Sequence, residues 1–401
     1  MKRLVLPLAA AVFLLSAASC IKFQTETPSR ETASTTLPEL GKEEVAKILS
    51  SLPLAQEQIQ EVHDAVNSSS GNGYDEEYTM ERLFNSPGSG VGDPDSKAPR
   101  RTYGTPLRSL FREYFARNDP KLRSGEVCGT PGTKADSGAA AFSAEDYLEA
   151  MEQSGLQIYW PYADDWDGET FPLVTFDPGF GAESNYAYEI RKTDTGYEVL
   201  DSILVDEQVA RTRPVWVINS NTDSEFTPGD LFVRKGERPS VTKSGNRLLM
   251  MKSMTVLRNY DSWFAGASEM NFQIGTVEGF SASTEAELQL YYPTITSFTL
   301  VVKRKQIGES IPLDIVLMTD FTNQLEKLAF LITEDDGGTV TSWKCSATVK
   351  VQSKSYGFDV DLPYRDKDDI VWRGQLAATF FQSEDQVTAR FGDVIITFEL
   401  L

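Results

Sequence analysis

Apolar residues recur every three or four positions in the first part of the chain and every second position beyond residue 155. Residues 41–67 carry Leu54, Ile59, Val62 and Val66 at helical spacing. They predict helix, in one or two pieces broken near Pro53, and the polar run SSSGNG (68–73) is expected to end it. TPLRSLFREYFAR (105–117) is the clearest helix. Thr105 stands at the N-cap, and Pro106 sits in the first turn, where its missing N–H leaves no bond unmade. Leu107, Leu110, Phe111, Tyr114 and Phe115 then form one stripe. Ser143 and Asp146 have the form of a capping box, for a helix that stops at Gly155.

From Leu156 the period becomes two. LQIYW, FPLVTF, YAYEIRK, YEVLDSILV and PVWVIN predict short strands separated by turns. After a polar stretch at 219–247, a second series follows: LLMMKSMTVL, MNFQIG, AELQLYY, SFTLVVKRK, PLDIVLM, KLAFLIT, SWKCSATVKV, QLAATFF and DVIITFEL. Strands of this length and spacing predict an antiparallel sandwich. The fold class is therefore α+β: an N-terminal helical region (41–155) with Gly- and Pro-rich loops at 85–99 and 124–138 that read as mobile, a small middle β region (156–250) and a C-terminal antiparallel β-sandwich (251–401).

The first nineteen residues belong to neither pattern. Lys2 and Arg3 precede an apolar run, Leu4 to Ala18, that is shorter than the roughly 20 residues of a membrane span and has the layout of a secretory signal peptide. Ala17-Ala18-Ser19-Cys20 resembles the processing site of bacterial lipoproteins, with Ala17 where that family most often has leucine. The resemblance implies cleavage after Ser19, fatty acids such as palmitate on Cys20, and a partner in the membrane itself. Ile21, rather than aspartate, then implies the outer membrane or cell surface. Several acyl chains, at about 0.8 kcal/mol per buried CH₂, hold a protein on a bilayer where one chain holds it marginally. Residues 20–40, rich in Thr, Ser, Glu and Pro, read as a tether. The acidic, Tyr- and Trp-rich body is similar in style to surface lipoproteins of Bacteroidetes-type bacteria.

Charge narrows the partners. Acids outnumber bases 59 to 38, a formal charge of −21, which excludes nucleic acid as a partner, since phosphate is held by Lys and Arg. The chemical inventory narrows the activity. The single histidine, His63, lies within a helical pattern and reads as a structural residue, and one histidine cannot build a multi-histidine zinc site. G-x-S-x-G, H-E-x-x-H and Walker motifs are absent from the sequence. The tripeptides Asp136-Ser137-Gly138 and Asp194-Thr195-Gly196 lack the buried strand that precedes an aspartic-protease motif, and the second reads as a hairpin turn. The expectation is a non-enzymatic binding or interaction protein.

Two stretches combine residues suited to ligands. IYWPYADDWDGETF (158–171) sets Tyr159, Trp160, Tyr162 and Trp166 beside Asp165 and Asp167, the pairing of rings and acids that grips a sugar. It supports an alternative reading as a carbohydrate-binding accessory protein; a partner could equally be another protein. A third reading, a glycosidase-like hydrolase, needs Asp164, Asp167 and Glu169 to converge in a cleft. Further on, Asp261, Gly266, Ser268 and Glu269 follow the order of the first calcium loop of C2 domains, and KLAFLITEDDGG resembles another such loop through Glu334 and Asp336. The resemblance implies a Ca²⁺ site made by Asp261, Glu269, Glu334 and Asp336. FDVDLPYRDKDDI competes for the second role through Asp359, Asp361 and Asp368. Cys128 and Cys345 sit in unlike settings, a Gly-rich loop and a strand, which argues against their being bridged.

Overall fold

The helical pattern forms α1 (Lys42–Ser51) and α2 (Gln56–Gly71). They separate where Pro53 drives Leu52 into extended backbone, with φ −68° and ψ 146°. The second helix continues through the serines to Gly71, past the stop expected at Ser68. The structure is a computed structural model and describes residues 37–71, 76–85, 102–117, 142–193, 196–220 and 247–401. The expected signal segment, Cys20 and the expected tether up to Thr36 lie outside the described residues. So do Cys128, Asp136-Ser137-Gly138, Asp194, Thr195 and the Gly- and Pro-rich stretches at 86–99 and 124–138. Residues 37–40, at the end of the expected tether, belong to the body, and Leu40 is buried in its helical core.

Next come β1 (Glu77–Thr79), α3 (Met80–Asn85), α4 (Leu107–Arg117) and α5 (Ala144–Glu152). The capping box of α5 forms as expected: Asp146 N–H donates to the Ser143 hydroxyl at 3.2 Å, and Ser143 N–H to the Asp146 carboxylate at 2.6 Å. Gly155, at φ +65°, turns the chain into β2 (Leu156–Tyr159). With β3 (Leu173–Phe176), β4 (Ser184–Thr193), β5 (Gly196–Asp206), the short α6 (Glu207–Ala210) and β6 (Val215–Ser220), this makes a sheet of order β1-β2-β6-β3-β4-β5. Its pairings are antiparallel except the parallel β3–β6.

Alternation sends the two sets of side chains of this sheet into different cores. Ile158, Val174, Trp216 and Ile218 pack with the helices, so the helices and the middle sheet share one core. Tyr159, Leu173, Val215 and Val217 pack on the other face with Trp263 and Phe264, which arrive from the C-terminal part. Burial on both faces explains why LQIYW and PVWVIN are nearly unbroken apolar runs.

The C-terminal part opens four residues before residue 251. Its strands are β7 (Arg247–Val256), β8 (Ser268–Thr276), β9 (Thr294–Val302), β10 (Ile311–Phe321), β11 (Leu325–Glu334), β12 (Val340–Val351), β13 (Lys354–Arg365), β14 (Asp369–Ala377), β15 (Gln386–Phe391) and β16 (Val394–Leu400). They form an antiparallel four-stranded sheet, β10-β7-β16-β15, and a six-stranded one, β13-β12-β11-β8-β9 with β14 also on β11. The inner faces share one core. Phe330 of β11 meets Phe391 of β15 at 5.5 Å and Phe398 of β16 at 6.1 Å between ring centroids. AELQLYY is not a strand: Glu285–Leu290 forms a 3₁₀ turn with no buried residue, started by Glu287 accepting Ser283 N–H at 2.7 Å. QLAATFF is divided between β14 and a helical turn, α7 (Ala378–Phe381), that places Phe381 in the core.

Candidate metal centre

Glu334 ends β11, where its neighbours in register are Met270 of β8 and Asp369 of β14. Position at the end of a central strand, with pairing on both sides, buries it completely: its exposure is 0%. Neither carboxylate oxygen has a hydrogen-bond donor. What faces it is acid. One oxygen from each of Asp261, Glu269 and Glu334 lies within 4.8 Å of the others. Asp261 comes from the loop between β7 and β8, and Glu269 from the second position of β8. Asp336, two residues past Glu334, is exposed and stands outside this three-oxygen group.

Two loops brace this group. Gly337 and Gly338, at φ +74° and +102°, allow the sharp turn after Asp336. Asp336 N–H donates to Asp368 at 3.3 Å, Thr339 N–H to Asp366 at 2.8 Å, and Arg365 N–H to Asp368 at 2.8 Å. The two competing sequence matches are thus adjacent in space. Asp368 belongs to the brace, while Asp359 and Asp361 stand exposed along β13.

Burial first, then the Asp261 charge, pushes the Glu334 carboxyl far above the usual carboxylate range. Burial also raises Asp261, against the lowering pull of Arg304. Asp336 is pushed up to about 6, by burial and then by Asp261, Asp369 and Asp368. A fully buried carboxylate without a donor, set beside other carboxyls, is costly in a low-dielectric setting. Two chemistries relieve the cost: a proton trapped between carboxyl groups, or a cation among them. The donor set is all oxygen and comes from three segments, which suits a hard divalent ion. Calcium takes 6–8 oxygens at about 2.3–2.6 Å, so ligands across its shell stand at most about 5 Å apart.

The 158–171 stretch is arranged differently. Tyr159, Trp160 and Tyr162 face inward and are buried, while Trp166 is half-buried, its indole N–H on the Thr170 carbonyl at 2.8 Å. Trp160, Tyr162, Asp165, Trp166, Asp167 and residues 210–214 line a cleft. Arg211 stacks over the Tyr162 ring at 5.1 Å. Asp164, Asp165, Asp167 and Glu169 are exposed, with Asp164 paired to Lys305 and Asp167 accepting the N–H groups of Glu169 and Thr170. They do not converge as a hydrolytic pair requires. His63 packs at 4.9 Å from Trp166 and bonds the Ala163 carbonyl at 3.2 Å. Cys345 is a free thiol, 3.4 Å from the Val360 carbonyl that it donates to.

Sequence reasoning missed Arg304. It is buried, it donates to the carbonyls of Asp261 at 3.3 Å and Gly266 at 3.0 Å, and it pairs with Glu207 at 3.2 Å. The KRK run reads as the solvated end of a strand, and nothing local marks its middle residue as interior.

A comparison with protein-family models finds no match, and a comparison with curated proteins finds none. The structure itself defines the class: a mostly β, α+β chain with several antiparallel sheets and an acidic cluster at the end of a central strand. Among the described residues, no helix is long and apolar enough to cross a membrane.

Proposed function

We propose that this is a lipid-anchored protein of the bacterial outer membrane or cell surface that acts by binding rather than catalysis. Its C-terminal part is read as an antiparallel, C2-like β-sandwich that holds a calcium-type divalent cation through Asp261, Glu269, Glu334 and Asp336. One observation carries the cation: a fully buried glutamate whose two oxygens have no donor and face two further carboxylates. A bound ion stabilises the folded chain by RT ln(1+[L]/Kd), about 2.7 kcal/mol at a hundredfold excess over Kd. Melting in millimolar calcium is therefore expected well above melting in chelator, and Glu334→Gln is expected to remove the difference. Equal melting of the wild-type protein in both conditions would overturn the reading.

The anchor is supported by Lys2 to Cys20 alone. Mass spectrometry of native protein is expected to find acyl chains on Cys20, and Cys20→Ser is expected to release the chain into the soluble fraction; an unmodified N-terminal peptide would remove the anchor.

The cleft favours a second reading, a glycan-binding accessory protein in which Trp166 offers a ring while Asp165 and Asp167 accept hydroxyls. Retardation in polysaccharide gels, lost on Trp166→Ala, tests it.

A further inference from the structure

We propose that the cation acts as a clamp on the 257–267 loop, so that filling the Asp261–Glu269–Glu334 site fixes the seat of the C-terminal sheets against the middle sheet. The inference rests on the cation reading and adds its structural consequence.

The loop serves two places at once. Asp261, near its start, and Glu269, just past its end, both reach the acidic cluster. Between them Trp263 and Phe264, both fully buried, plug the face of the middle sheet formed by Tyr159, Leu173, Val215 and Val217. Polar contacts tie the plug to that sheet. Trp263 Nε1–H donates to the Glu183 carbonyl at 2.9 Å, and the Asn219 amide donates to the carbonyls of Phe264 at 3.1 Å and Ala265 at 2.8 Å. Arg304 links the loop carbonyls to Glu207 beside β5. At the neck, Tyr260 N–H donates to the Ser268 hydroxyl at 3.0 Å.

The acids differ in their freedom to move. Glu334 and Glu269 lie in strands paired on both sides, so their backbones are fixed. Asp261 lies on the loop, two residues before Trp263. Asp261 is therefore the carboxyl free to move, and it carries the plug with it. A cation held among the carboxyls draws Asp261 toward the strands.

Hydrogen exchange on the full-length protein in detergent tests this, with calcium binding measured in parallel by calorimetry. At free calcium about ten times Kd, exchange through the loop opening is expected to slow about tenfold, both in peptides covering 257–267 and in β6 (Val215–Ser220). Calcium that binds by calorimetry without slowing exchange at either place overturns the clamp and leaves the cation site standing. No binding by calorimetry overturns both. Trp263→Ala is expected to keep calcium binding while losing the protection of β6; protection of β6 that survives in this variant also overturns the clamp. The wild-type comparison decides the matter even if that variant does not fold.

Discussion

The segments 158–171 and 258–270 look alike as strings, each mixing aromatic rings with acids, four in the first and two in the second, yet the fold treats those acids differently. In the first the rings go in and the acids go out. Asp164, Asp165, Asp167 and Glu169 are exposed, and two of them already have partners. In the second the rings go in, and Asp261 and Glu269 stand half-buried against Glu334, which is fully buried and without a donor. The difference is topological. Residues 161–170 form an outer turn with one 3₁₀ piece, whereas 257–267 is trapped between two layers. Composition alone does not distinguish a solvated acidic turn from acids packed around a buried glutamate; what does is the pairing that buries Glu334 at the end of β11.

The largest expected break in this comparison lies in the rings. Removing the fully buried Trp263 by Trp263→Ala is expected to cost about 3–5 kcal/mol in urea unfolding, as large-to-small core changes do. Trp166→Ala, at a half-buried ring, is expected to cost well under half of that. Equal costs would mean that the two segments are not packed as described.

Next comes the cation. In chelator, Glu334→Gln is expected to raise stability, by removing a carboxyl that burial and Asp261 both disfavour as an anion. In calcium the same variant is expected to gain nothing, where wild type gains about 2–3 kcal/mol at a hundredfold excess over Kd. Asp167→Asn is expected to leave the calcium-dependent difference intact. A loss of that difference in Asp167→Asn would put the ion at the wrong segment.

Much of this contrast was legible in the chain and some was not. The order Asp261, Gly266, Ser268, Glu269 and then Glu334, Asp336 contains the three acids whose oxygens the structure places within 4.8 Å of one another, Asp261, Glu269 and Glu334, and a strand end followed by acids and glycines is a local pattern. What leaves Asp359 and Asp361 exposed along β13, away from this group, is strand pairing over long separation, which no local window contains. β13 carries a clear period of two, with Tyr356, Phe358, Val360, Leu362 and Tyr364 turned toward the core, while the acids between them in FDVDLPYR read as ligands rather than as the exposed face of a strand. Trp263 and Phe264 read as loop residues because their partners lie in strands about fifty or more residues away. The helices were readable because their caps and stripes are local, down to the Ser143–Asp146 box.

Glu61 sharpens the comparison with a third kind of acid, buried but given donors. It accepts Leu107 N–H at 2.7 Å and the Tyr78 hydroxyl at 3.4 Å. Burial still pushes its carboxyl from 4.5 up to about 7, with those bonds pulling the other way and Glu57 adding to the rise. Between these values the folded chain holds more protons than the unfolded chain, so stability falls as pH rises. The contribution is complete below about 4.5 and lost once pH passes about 7. Glu61→Gln is expected to flatten this limb by an amount of order 1–3 kcal/mol between pH 5 and 8, measured as the difference from wild type in urea unfolding at the two pH values. An unchanged slope would show that Glu61 titrates alike in both states.

The smallest effect is expected at Asp165, and its smallness is useful. The side chain is exposed at the lip of the cleft. Substitutions at such surface positions change stability by at most about 0.5 kcal/mol. Asp165→Asn is therefore expected to melt like wild type in calcium and in chelator alike. Polysaccharide retardation of this variant can then be read as contact chemistry alone, free of any unfolding. Retardation that falls with Asp165→Asn at unchanged melting temperature would mean that the exposed acids serve a ligand taken from solvent. Retardation that is absent in wild type as well would leave the acids of 158–171 as the solvated face of a turn.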